Sequence, residues 1–113
     1  MTFEAVRKMA LALDNVEEAT SYGTPAFKVR GELIARLRND IGALVLRMSI
    51  EDRQELIAAD PETYFITDHY LEYPYVLVNL ARVQPEAMRD LLRGAWRSAA
   101  SQKAAAPKKR RKR

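Results

Sequence analysis

The chain has 113 residues, 48% hydrophobic and 30% charged, which suits one soluble domain with one core. It has no cysteine, which excludes disulfides and thiol catalysis, and no apolar run near the ~20 residues needed to cross a bilayer. The net charge of +4 belongs to the end of the chain: residues 103–113 carry seven cations, while residues 1–102 hold 12 basic and 15 acidic side chains, a net of −3.

The first helix is expected from about Phe3 to Leu13, with Phe3, Val6, Met9, Ala10 and Leu13 on one face and Thr2 as its cap. Glu4, Arg7 and Lys8 break any continuous apolar segment of a secretory leader. Val16 to Thr24 reads as a connection that ends at Tyr22-Gly23-Thr24-Pro25. Three strands follow between Pro25 and Met48, and Gly31-Glu32 is placed for a tight hairpin of the type II′ kind. Ser49 with Asp52 three residues on begins a short helix that ends near Ala59. Tyr64 to Thr67 and Tyr75 to Leu80 read as further strands, separated by an aromatic loop. The last helix is the clearest: Met88, Leu91, Leu92, Ala95, Trp96 and Ala99 recur at helical spacing after Pro85. These elements give an α+β domain over residues 1–101. Residues 102–113 have no apolar period and read as a disordered basic tail.

The strands between Pro25 and Met48 carry a one-signed pattern. Alternation sets Phe27 and Val29 against Lys28 and Arg30, then Leu33, Ala35 and Leu37 against Ile34, Arg36 and Arg38. Leu44, Leu46 and Met48 alternate with Val45 and Arg47. One register collects Lys28, Arg30, Arg36, Arg38 and Arg47 on a single face, which suits the phosphates of a polyanion. The competing reading is a solvated face whose cations are tied to nearby carboxylates.

The residues also resemble a known family. Thr20–Arg38 (TSYGTPAFKVRGELIARLR), Leu44–Met48 (LVLRM) and Ala59–Leu80 (ADPETYFITDHYLEYPYVLVNL) are similar, in order, to segments of the MmcQ/YjbR family. The terminal helix with Leu91-Leu92 and Trp96 is similar as well. The resemblance implies a double-wing-like fold: an N-terminal helix, a mostly antiparallel sheet, a short middle helix and a long C-terminal helix. It also implies a bacterial protein that binds DNA through a β surface, and the lack of cysteine fits a reducing cytoplasm. That functional implication is fold analogy. Gln84 stands where an Asp is expected before the last helix, a weaker cap.

Two sites follow. The first is nucleic-acid binding through Lys28, Arg30, Arg36, Arg38 and Arg47, joined by Lys108, Lys109, Arg110, Arg111, Lys112 and Arg113 of the tail. The second, an alternative, is a pocket for a small molecule or protein segment at Tyr22, Thr24, His69, Tyr70 and Tyr73, provided that the two motifs meet in space. Plain packing of amphipathic tyrosines competes with that alternative. His69 is the single histidine and has no evident orienting partner, so a structural role outweighs a catalytic one. No catalytic residue, cofactor or metal site is expected, because carboxylates at ligand spacing are lacking and the four glycines are scattered.

Overall fold

The computed structural model describes the backbone of residues 1–109 and side chains through Ser101. The elements are α1 (Phe3–Leu11), β1 (Val16–Ser21), β2 (Thr24–Val29), β3 (Glu32–Arg38), β4 (Ala43–Arg47), α2 (Ile50–Ala59), β5 (Tyr64–Phe65), β6 (Tyr75–Asn79) and α3 (Pro85–Lys109). The six strands form one sheet in the order β1-β2-β3-β4-β6-β5, antiparallel throughout. This is the α+β arrangement of helices and antiparallel sheet that the sequence implies.

The helix starts obey capping chemistry. Thr2 Oγ1 accepts from the Ala5 amide at 3.2 Å, and Ser49 Oγ accepts from the Asp52 amide at 3.1 Å. Helices α1 and α3 cover one face of the sheet. Phe27, Val29, Leu44, Leu46, Val76 and Val78 from the strands meet Val6, Ala10, Met88, Leu92 and Ala95 there in one core. Each large side chain so buried contributes about 1.5–3 kcal/mol relative to exposure. Phe3 stacks on Phe27 with ring centroids 5.7 Å apart, and the Trp96 indole N–H donates to the Asp14 carbonyl at 2.8 Å, tying α3 to the end of α1.

Two expectations need correction. Val16–Ser21 is an edge strand, β1, rather than a connection. Its mixed composition hides the alternation, because an edge strand buries little, and Glu18 is held by Arg7 through two bonds of 2.9 Å. The β2–β3 turn is Arg30-Gly31, not Gly31-Glu32: Val29 pairs with Glu32, and both central residues have positive φ (53° and 84°). That is the type I′ pattern, whose twist matches the flanking strands. Helix α3 is assigned from Pro85 to Lys109. The side chains of Lys108 and Lys109, and all of Arg110, Arg111, Lys112 and Arg113, lie outside the described residues.

A bulge decides which β3 side chains face which way. Phe27 lies opposite Ala35 but Lys28 lies opposite Leu33, leaving Ile34 as an extra residue. Ile34 and Ala35 therefore both enter the helix-covered core, and Leu33 turns to the other face. Simple alternation places Ile34 beside Arg36 and misses this.

Candidate functional site

The second face of the sheet has no helix over it. A small apolar cluster of Ala43, Val45, Leu77 and Tyr70 occupies its centre. Residues Thr67 to Tyr73 fold back over this cluster through a 3-10 turn at Asp68–Tyr70. Beside the cluster the face opens into a two-lobed cleft of about 590 Å³ and 320 Å³. Tyr22, Arg36, His69 and Tyr70 line both lobes, so the two sequence motifs meet in space.

Arg36 is the centre of this arrangement. Its Nη2 donates to the Tyr70 hydroxyl at 2.7 Å and its Nη1 to Thr24 Oγ1 at 3.3 Å, while Thr24 Oγ1 donates to the Ser21 carbonyl at 3.0 Å. Its guanidinium carbon lies 5.2 Å from the centroid of the Tyr22 ring. Among the described residues no carboxylate sits at ion-pair distance from Arg36. A half-buried cation fixed by neutral groups alone keeps its charge available to an incoming anion.

Tyr22 is held by the backbone. It occupies the first central position of the β1–β2 hairpin with φ 53°, followed by Gly23 with φ 80°, between paired Ser21 and Thr24. Asn or Asp is the usual residue there, and a bulky aromatic with positive φ costs conformational energy of order 1–3 kcal/mol. The residue is 92% exposed, so packing does not repay that cost. Tyr73 is also exposed, and the exposed His69 ring stands edge-on to Tyr70 at 4.7 Å.

The five cations expected on one face do not act as a unit. The pairings put Lys28, Arg36 and Arg38 on the open face. Arg38 is clamped by Asp40 through bonds of 2.9 and 2.8 Å. This pairing holds the Asp40 carboxyl below its ordinary value of 3.8 and, with the Tyr70 hydroxyl, raises the Arg38 guanidinium. Lys28 lies across from Glu17 of β1. Arg30 sits exposed at a turn tip outside the strand. Arg47 turns away: it contacts Glu32 at 3.5 Å and Ser98 of α3 at 3.4 Å. The expected patch of five thus reduces to Arg36 with Lys28 nearby. The physical reason is that Asp40 takes Arg38, Glu32 and Ser98 draw Arg47 away, and the turn carries Arg30 out of the strand.

Sequence reasoning missed Arg53. This α2 residue is 3% exposed and pairs with no carboxylate among the described residues. Its Nη1 donates to the carbonyls of Tyr70 (3.3 Å), Tyr73 (2.9 Å) and Tyr75 (2.9 Å), and its Nη2 to that of Leu71 (2.8 Å). One guanidinium thereby satisfies four carbonyls of an irregular segment and fixes the loop that presents His69 and Tyr70. The signal was present: Arg53 shares a helical face with Leu56 and Ile57, three and four residues on, where an apolar residue is the norm. Burial also pushes the Tyr75 phenol up, so it stays neutral at the base of the cleft.

A separate groove of about 410 Å³ lies between α2 and α3, lined by Met48, Leu56, Leu91 and Ala95 with Asp52 and Asp90 at its rim. Among the described residues, no group of three or more His, Asp or Glu is placed to hold a metal ion, and no helix is long and apolar enough to cross a membrane.

The comparisons with known proteins agree with this architecture. Uncharacterised proteins of Mycobacterium tuberculosis and Mycobacterium bovis are 44% identical over 41 residues, which is 36% of this chain. The matched stretch is about a third (32%) of the length of those curated relatives. The crystal structure of a Deinococcus radiodurans protein with a DUF419 domain superposes with a TM-score of 0.72 at 26% identity, covering 84% of this chain and 75% of that one. The YjbR family model matches residues 11–98, which takes in all six strands, the loop that Arg53 holds and the first turns of α3; the chain belongs to the YjbR family.

Proposed function

We propose that the protein is a non-enzymatic, cytoplasmic DNA-binding protein whose uncovered sheet face contacts the nucleic acid and whose basic C-terminus adds non-specific attraction. One observation carries this reading: Arg36 is held by Tyr70, Thr24 and the Tyr22 ring, with no carboxylate of the described residues at ion-pair distance, at the mouth of an open cleft. Phosphate contacts need such a cation, and the fork of a guanidinium suits phosphate oxygens. The seven cations of residues 103–113 supply attraction that the acidic body lacks.

A second reading is favoured by the concavity alone. The two lobes fall in the size range of small-ligand sites, so a free anionic metabolite is an alternative occupant. The test is equilibrium binding of the full chain to a short DNA across a salt series, with Arg36→Gln beside it. Binding that weakens with salt is expected, and Arg36→Gln should lower the log–log slope by about 0.7–0.9, one phosphate contact. An unchanged slope removes the sheet face and leaves the C-terminus alone; no binding at low salt removes the function.

A further inference from the structure

We infer that the cleft receives one unstacked base of a single-stranded nucleic acid, laid on the free face of Tyr22, with the neighbouring phosphate on Arg36. The inference rests on the nucleic-acid reading above and specifies its ligand.

Three observations carry it. The first is the pose of Tyr22. One side of its ring looks toward the Arg36 guanidinium at 5.2 Å, and the residue as a whole is 92% exposed. The hairpin tip therefore presents a solvated ring with a cation beside it. A flat, exposed ring beside a cation matches the way single strands are held, by base stacking and a tracked phosphate.

The second observation is strain. Tyr22 and Arg30 occupy equivalent first positions of two I′-like turns, each followed by Gly. The Tyr22 ring is neither buried nor paired with another aromatic ring, so within the protein only the Arg36 contact offsets a bulky residue with φ 53°. An aromatic kept at a position that prefers Asn or Gly is accounted for by a partner from outside.

The third is charge. On the open face Arg38 is committed to Asp40 and Lys28 faces Glu17, while Asp68 lines the larger lobe. Duplex DNA presents a negative charge about every 1.7 Å along its axis and rewards several cations in a row. One uncommitted guanidinium beside one exposed ring matches one nucleotide, a base and its phosphate. Arg53 holds the loop in place beforehand, so the cleft does not have to be ordered on binding.

The experiment uses the full chain and fluorescence anisotropy at low salt. The probes are a labelled oligothymidylate, a duplex of equal length, and free thymidine monophosphate as competitor. Single-strand binding should be at least tenfold tighter than duplex binding. Tyr22→Asn, which keeps a residue suited to the turn, should weaken single-strand binding about tenfold, whereas Tyr22→Phe should retain it. Thermal melting of both variants checks that the fold survives, and the Phe variant keeps the test valid if the Asn variant does not fold. Duplex binding equal to or tighter than single-strand binding overturns this inference and leaves the nucleic-acid reading standing. Tight binding of the free nucleotide without any affinity for the strand overturns both in favour of a metabolite pocket. Failure of both nucleic acids to bind removes the underlying reading.

Discussion

The two faces of the sheet are made by the same strands and differ in what covers them. On the helix side, Leu44, Leu46, Val76 and Val78 meet α1 and α3 in one continuous core. On the other side, Val45 and Leu77 meet only the loop from Phe65 to Tyr75, and beyond it lies a cleft. The first face uses its side chains to exclude water. The second carries Arg36, Thr24, Tyr22 and His69 beside its small apolar cluster, with the cleft open before them. A single strand can serve both purposes because successive residues point opposite ways.

The sharpest way to break this comparison is to truncate equivalent side chains on the two faces. Leu44 and Leu77 are both fully buried. Leu44→Ala should cost about 4 kcal/mol and Leu77→Ala about 2 kcal/mol in urea denaturation, because a loop can settle into the space that two helices cannot. Equal costs would mean that the open face is as rigidly packed as the covered one.

Arg53 comes next. Arg53→Ala removes a buried donor from four carbonyls, of which those of Tyr70 and Tyr73 keep a backbone N–H, and should destabilise by about 3 kcal/mol. Hydrogen exchange should quicken in Asp68–Tyr75 first, while α1 and β1 keep their protection. A uniform loss of protection would show that Arg53 supports the whole fold and not the site.

The smallest effect sharpens the electrostatic side. Asp40→Asn releases Arg38 toward the cleft, so DNA affinity should rise and the salt slope should steepen by about 0.9. Acid does the same reversibly. The Asp40 carboxyl is depressed by Arg38, so the pair's contribution is complete above the ordinary value of 3.8 and is lost as pH falls through the lower folded value. Since Asp40 is exposed, the consequence for stability is slight. Carboxyl NMR titration reads the shift directly, and an Asp40 titrating at its ordinary value would show that Arg38 is already available.

Much of this was legible in the chain. The caps at Thr2 and Ser49, the apolar stripe of α3 and the family segments are local signals, and local signals survive folding. The meeting of Tyr22 with His69 was open as a possibility, since two motif-bearing loops needed only a common side of the sheet. The patch of five cations did not hold: Arg38 pairs with Asp40 two residues on, and Arg47 is drawn to Glu32 of β3 and Ser98 of α3, partners far off in the chain.

Sequence by itself determined the elements, their order, the apolar face of each helix and the family, since these depend on periodicity and short-range chemistry. Tertiary structure alone decided which charges remain uncommitted. Pairing register, the bulge at Ile34 and the placement of one buried guanidinium set distances between residues far apart in the chain. Electrostatic availability is a property of those distances and not of composition.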